Sequence, residues 1–569
     1  MYAFISKNVK KGEVLYTIRI IMRVEINGII KEFNSPTRII DMFDNKNYDY
    51  FAAKVNNRLR ELNYIVSNDC KIDLLDLTDD SVTKIYQATL RYVIVMAAKN
   101  LYPKGRICFN YSVSRSIFAS MSNIGHAFLQ EDLEKLSIEI HKIISANHPI
   151  NRYSLTKAEA IEYYRSIGQM DKVKVLKYRP EDTVHCYECN GYKNYMFGYM
   201  LPSTGFLKSF SLRLYTPGFL ISYPRSECGG KVPEFKDEKV FRTVLKEANL
   251  WANTSRAGSI SQMNEIIESG NALEFINICE AKHNRQFTEL GNKIESNINN
   301  IKLICVAGPS SSGKTTFTNR LRIELKSRGI EPVMISMDNF YKSLQETPLD
   351  EYGNPDFESI EALDLRLFDK TIFNLIQGEE VKLPIYDFTT KSRSFTEPIK
   401  IKPHQPIMVE GIHGLNDLIA TSIGEEYKFK IYIAPMAQYN IDDHNPISLS
   451  DIRLIRRMVR DHNFRGTGCE KTLKMWSSVR RGEFKWIYPY QNNADYVFNS
   501  ELSYELCVMK KHAIPLLEAV NTDSPYYIAA NRLVKFLKYF EDINDKWIPC
   551  NSLLREFIGD SIFYTEDKK

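Results

Sequence analysis

No apolar run in this sequence is long enough to cross a membrane: Tyr92 to Ala98, among the longest, falls far short of about 20 residues. No secretory leader is visible either, because Lys7, Lys10, Lys11 and Glu13 crowd the start with no apolar core behind them. A cytoplasmic location is therefore expected. Charge of one sign is not in excess. Lys and Arg number 75 against 70 Asp and Glu, a net of +5 over 569 residues, which excludes a nucleic-acid coat spread over the surface. Of the ten cysteines only Cys186 and Cys189 stand at metal-ligand spacing. No second Cys-x-x-Cys or His pair follows to complete a zinc site, so reduced thiols are the expectation. Internal repeats and low-complexity segments are absent from the sequence as well.

What remains is an ordinary globular composition, 44% hydrophobic and 25% charged, of a length that suits three or four domains. The front reads as mixed α/β. Ile18 to Ile26 and Ile29 to Phe33 flank Asn27-Gly28, a hairpin signal, and Asp49 to Val55 and Ile72 to Leu77 supply further strands. Beyond Ser81, Tyr86 to Asn100 and Leu129 to Ala146 have helical spacing, and Phe206 to Leu214 reads as a strand. Residues 240–299 are helical and polar, as expected of a connector.

The chemistry starts at residue 301. Ile301 to Val306 has the length of a buried strand, and Gly308-Pro-Ser-Ser-Ser-Gly-Lys-Thr315 is a full GxxxxGK[ST] phosphate loop opening a helix that runs to Gly329. Gly308 and Gly313 let successive backbone N–H groups turn inward, with Ser310, Ser311 and Ser312 between them. Lys314 extends a cation to the outer phosphates, Thr315 offers its hydroxyl to Mg²⁺, and Thr316 continues the helix N-terminus. Two carboxylates stand where strands end, and strand ends in a parallel sheet line the ligand crevice. They are Asp338, after Pro332 to Ser336, and Glu410, after Pro406 to Val409. Arg453, Arg456, Arg457 and Arg460 recur at three- and four-residue spacing, most of them on one helical face. Such a stripe fits a lid over polyphosphate, an RNA-backbone contact or a solvated face. Behind a phosphate loop, the lid reading leads.

These motifs, with Asp338-Asn-Phe-Tyr341 and Pro384-Ile-Tyr-Asp-Phe388, resemble the uridine kinase and phosphoribulokinase family of P-loop kinases. The resemblance implies a doubly wound parallel α/β sheet and ATP- and Mg²⁺-dependent phosphoryl transfer. It places Thr315, Asp338 and Glu410 on the metal and makes Asp338 the base. Arg457, Arg460 and Arg465 become lid residues, and Tyr341, Phe357, Glu358, Tyr386 and Lys391 line the acceptor pocket. The implied acceptor is the 5′-hydroxyl of a nucleoside, uridine first. Glu358 stands where the family has Asp, and Lys391 where it has a base-reading His, which leaves another alcohol such as a sugar phosphate open.

The front half resembles the N-terminal portion of threonyl-tRNA synthetases. Ala52-Ala-Lys-Val-Asn-Asn57 matches the small β-grasp (TGS) domain, and Leu201-Pro-Ser-Thr-Gly205 matches the α+β editing domain. The family's paired histidines, later Cys and later His fall here on Ala88, Tyr92, Met196 and Met200, none of which shuttles protons as those did. Loss of editing is the expectation, with RNA binding by a nucleotide-switched protein as the rival function. The expected division is 1–80 β-grasp, 81–228 editing-like, 229–298 helical connector and 299–569 kinase with its tail, in a homo-oligomer.

Overall fold

In the computed structural model the described residues are 2–10, 13–387, 390 and 392–563. Lys391 lies outside them. Asn27 and Gly28 turn the chain between strands Glu13–Ile26 and Ile29–Phe33. Strand alternation then buries Met22, Val24 and Ile26 and leaves Arg23 on the solvent face. The sheet runs Tyr2–Lys10, Glu13–Ile26, Cys70–Leu75, Ala52–Val55, Arg58–Arg60, with Ile29–Phe33 beside Glu13–Ile26.

Asp79 caps the next helix, Asp80–Leu101, by accepting from Ser81 N at 2.7 Å. Nearly everything from Val82 to Ala98 on it is buried, as befits a helix enclosed on most sides. It packs with helix Gln130–Ser145 and a four-stranded antiparallel sheet ordered Ser211–Tyr215, Gly218–Ser222, Ser116–Ser122, Arg106–Val113. The strand expected over 206–214 begins only at Ser211. Thr204–Phe206 forms a 3₁₀ turn instead, because Thr204 Oγ1 donates to Ile143 O at 2.9 Å and Asn147 Oδ1 accepts from Gly205 N at 3.1 Å.

The second half is built on a five-stranded, all-parallel sheet ordered Val333–Ser336, Ile407–Glu410, Leu303–Ala307, Lys428–Ala434, Tyr496–Asn499. Every residue of Leu303–Ala307 and Lys428–Ala434 is buried, the pattern of a parallel sheet covered on both faces. Helices Lys314–Ser327 and Ala272–Glu295 cover one face, where Phe317 meets Phe287 and Phe498 at ring separations of 5.3 and 4.8 Å. Helix Ala272–Glu295 belongs to the stretch read as a connector, yet Phe275, Ile276, Phe287 and Leu290 enter the same core as the sheet. Since Glu410 pairs in register with Val306 and with Ser336, the strand ends bearing the phosphate loop, Asp338 and Glu410 share one edge.

The two halves interlock through the hairpin 440–446. Asp442 pairs with Lys172 at 3.1 Å, both side chains wholly buried. Asp443 takes both arms of Arg106 at 2.6 and 2.8 Å. His444 Nδ1 meets Asn194 Nδ2 at 3.1 Å, its carbonyl accepts from Arg91, and Asn445 Oδ1 accepts from Phe197 N at 2.9 Å. Ala88, Tyr92, Met196 and Met200, the positions matching the editing site, are packed in the front core, and Tyr92 donates to Tyr192 O at 2.7 Å. No helix among the described residues is long and apolar enough to cross a membrane.

Candidate active site

The loop 308–313 follows strand Leu303–Ala307 and opens helix Lys314–Ser327. Gly308 is required by a close approach: a Cβ there would lie 2.1 Å from Ile433 O on the neighbouring strand. Lys314 Nζ bends over its own loop, donating to Gly308 O at 2.9 Å and Pro309 O at 3.2 Å. Ser311 Oγ, Ser312 Oγ and Thr316 Oγ1 are buried without hydrogen-bond partners, while Thr315 is exposed. Desolvation lowers the Lys314 pKa, against the pull of Glu410, Asp338 and Glu556.

Asp338 sits in the 3₁₀ turn Met337–Phe340 straight after its strand. Burial pushes its carboxyl above the usual carboxylate range, opposed by Lys314, Arg465 and Arg460. Glu410 accepts from Ser336 Oγ at 3.0 Å. Burial, then the neighbouring Asp338 charge, push it up to about 7. Two neighbouring carboxylates at the ends of adjacent strands, one raising the other, are a donor set that fits a hard divalent cation.

Of the residues expected to line an acceptor pocket, Tyr341, Phe357 and Tyr386 lie together, with Asp338 near Tyr341. Tyr341 donates to Phe357 O at 3.0 Å, and its ring lies 6.0 Å from Phe357 and 5.8 Å from Tyr386. Asn339 Oδ1 accepts from Tyr386 N at 3.3 Å, which ties the two motifs together. Arg393 Nη2 fixes the same turn from outside by donating to Phe340 O and Tyr341 O at 3.2 and 2.7 Å. Glu358 has one buried carboxylate oxygen without a partner, and burial followed by Glu483 lifts it to about 7. A Cβ on Gly482 would fall 2.3 Å from Glu358 Cβ, so glycine is what lets helix Cys469–Gly482 close on this acid. His413 is buried and held neutral, its pKa lowered to about 3 by desolvation.

The arginine stripe divides in two. Arg453 is bonded to buried Glu483 and to Ser310 O at 3.0 Å, and Arg456 to buried Glu505, so both brace helix Leu449–Arg465. Arg457, Arg460 and Arg465 converge on one buried carboxylate, Asp461, at 3.3, 2.7 and 3.7 Å. Arg457 Nη1 also donates to Ser310 Oγ at 2.7 Å, joining this cluster to the loop. Asp461, Ser336 and Arg393 were missed in the sequence. Only Asp461 left a signal, the i, i+4 spacing that links it to Arg457 and Arg465.

The profile of the phosphoribulokinase / uridine kinase family matches residues 303–504. The uridine kinase of Borrelia duttonii (strain Ly) is 33% identical over 198 residues, 35% of this chain and 85% of that protein. The chain belongs to the phosphoribulokinase / uridine kinase family. A threonine–tRNA ligase of Acetivibrio thermocellus is 26% identical over 191 residues, and one of Clostridioides difficile (strain 630) is 27% identical over 192 residues. Each of these alignments covers 33% of this chain and 30% of the ligase, so the chain spans under a third of those relatives' length. A chain of this family is thus also similar to part of the threonine–tRNA ligases.

Two of the raised acids give a pH signature. Glu358 and Glu410 titrate near 7 in the fold against the usual 4.5, so the native state holds protons that the unfolded chain releases. Their contribution to stability is complete below about pH 4.5 and is lost as pH rises through about 7. In metal-free buffer the melting temperature is expected to fall between pH 5.5 and 8. Glu410→Gln should fall less steeply over that range, and parallel curves for the two proteins would refute the burial of this charge.

Proposed function

We propose that this protein is an ATP-dependent kinase that phosphorylates the 5′-hydroxyl of a pyrimidine nucleoside, uridine first. The observation that supports the reading is that Asp338 feels the charge of Lys314 and lies near Tyr341, whose ring neighbours Phe357 and Tyr386. A flat base packs on such a wall, and Glu358, with an unpartnered oxygen, accepts from the sugar hydroxyls. Asp338 takes the proton of the attacking hydroxyl, a role its raised pKa suits. Lys314 and the backbone N–H groups of the loop hold the triphosphate of ATP, while Arg457, Arg460 and Arg465 neutralise charge as phosphoryl passes to the acceptor. Thr315, Asp338 and Glu410 are the residues that would hold Mg²⁺, which supplies neutralisation of phosphate oxygens when bound.

The test is transfer of label from [γ-³²P]ATP across uridine, cytidine, other nucleosides and sugar phosphates. Phosphorylated uridine as the leading product supports the reading, and a sugar bisphosphate in its place would move the acceptor class. Lys391 sits at the base-reading position of the motif. A lysine only donates, so it serves a carbonyl such as that of uracil better than the amino edge of cytosine. Lys391→His is expected to shift the uridine-to-cytidine ratio of kcat/KM by about tenfold. An unchanged ratio would put Lys391 outside the pocket.

A further inference from the structure

The end of the described chain lies on the phosphate loop. Glu556, buried in the short helix Arg555–Ile558, accepts from Thr316 N at 2.9 Å through Oε2. That N–H is one of the free donors at the start of helix Lys314–Ser327, among those a phosphate loop turns toward the phosphates of a nucleotide. Beside it, Thr316 Oγ1, Ser311 Oγ and Ser312 Oγ are buried and unpartnered, so the carboxylate fills one position of a larger anion cradle.

The tail is fastened so as to keep the carboxylate there. Leu553, Leu554 and Phe557 are buried in the kinase core, and Leu553 lies against Gly313. Arg555 Nη2 ties the tail to itself through Asp545 O and Ile548 O at 2.8 and 2.7 Å. The other attachments go to the lid helix. Asn463 Nδ2 donates to Phe557 O at 3.0 Å, and the Arg456 guanidinium lies over the Phe557 ring at 5.2 Å.

We propose that the C-terminal tail is autoinhibitory, with Glu556 and a phosphate of the incoming nucleotide as rival acceptors for Thr316 N–H. The inference rests on the reading of 308–315 as a nucleotide-binding loop. One N–H serves one anion well, and a second anion in the same cradle meets like-charge repulsion in a poorly solvated place. Polyphosphate therefore enters only as the Glu556 side chain leaves, and the affinity of the resting protein is reduced by the fraction of molecules in which it has left. Because the tail is pinned to the helix that carries Arg457, Arg460 and Arg465, its release is poised to act together with the lid.

The experiment is calorimetric titration of the full chain with tripolyphosphate, ATP and adenosine, for the parent protein, Glu556→Gln and Glu556→Ala. Unliganded melting curves establish that each variant is folded, and Glu556→Gln keeps the side chain's shape should the alanine variant fail. Tripolyphosphate and ATP are expected to bind about tenfold more tightly to the variants, the scale of one displaced charge-assisted hydrogen bond. Adenosine should bind unchanged. Equal or weaker tripolyphosphate binding to the folded variants overturns the proposal, as does an equal gain for adenosine, which would make Glu556 a steric plug. Failure of the parent and both variants to bind ATP or tripolyphosphate at all would instead overturn the phosphate-loop reading.

Discussion

Asp338→Asn is expected to lower turnover by about 10³-fold, within the range that a positioned general base supplies, while ATP still binds. The reason is local. The carboxylate stands at the end of its strand in the field of Lys314, Arg460 and Arg465, and packing against the aromatic turn leaves it poorly solvated. Asparagine keeps the volume and can still accept a hydrogen bond, but it cannot take the proton of an attacking hydroxyl. On the proposed reading ATP is held mainly by the loop and Lys314, which the substitution leaves in place. It also removes one of the two acids that would hold Mg²⁺ on that reading, so apparent Mg²⁺ affinity should weaken as well. Single-turnover transfer at saturating Mg²⁺ separates the two effects, and near-parental turnover under those conditions would remove Asp338 from the chemistry.

Asp442→Ala is expected to carry the largest cost in stability. Lys172 and Asp442 are both wholly inaccessible, and stripping one partner leaves a charge in a medium that cannot solvate it. Such a loss costs about 3–5 kcal/mol. Lys172 keeps a hydrogen bond to Tyr195 O at 3.2 Å and lies 5.7 Å from the Tyr164 and Tyr195 ring centres, which argues for the lower end. Asp442 also accepts from His444 N at 2.8 Å and from Asn445 Nδ2 at 2.8 and 2.9 Å, so the hairpin that clasps the front half loosens too. A fall in melting temperature of roughly 5–10 °C is the expected reading. Restoring a matched pair of uncharged groups, Lys172→Met with Asp442→Leu, should recover part of it. A melting curve that Asp442→Ala leaves unmoved would mean that the junction is not a buried ion pair in solution.

The hairpin has a consequence for the site as well. It ends three residues before helix Leu449–Arg465, the helix that carries Arg457, Arg460 and Arg465. The front half thus grips the segment from which that helix departs. Ala88, Tyr92, Met196 and Met200 in the front half are apolar or hydrogen-bonded within the core.

What was legible in the sequence is what contiguous residues encode. The phosphate loop needs its glycines, lysine and hydroxyl side by side on one turn, and a buried parallel strand needs an unbroken apolar run, so Gly308 to Thr315 and Leu303 to Ala307 could be read directly. The carboxylates followed from the rule that strand ends line the crevice. The partners were not legible, because they arise through space. Arg453 and Arg456 looked like lid residues by spacing, yet Glu483 and Glu505, 30 and 49 residues further on, consume their charge. Glu556 lies 240 residues from the N–H it caps, and nothing in the spacing of the tail announces that contact. The strand read over 206–214 starts only at Ser211, after a turn whose Thr204 and Gly205 are held by Ile143 and Asn147 of another element.

The most direct test of the whole account is single-turnover transfer from [γ-³²P]ATP to uridine, with the product's phosphate position read by NMR. The account predicts uridine 5′-monophosphate, formed by the parent protein and suppressed about 10³-fold in Asp338→Asn. Label released only as inorganic phosphate, at the same rate with and without uridine, would contradict it.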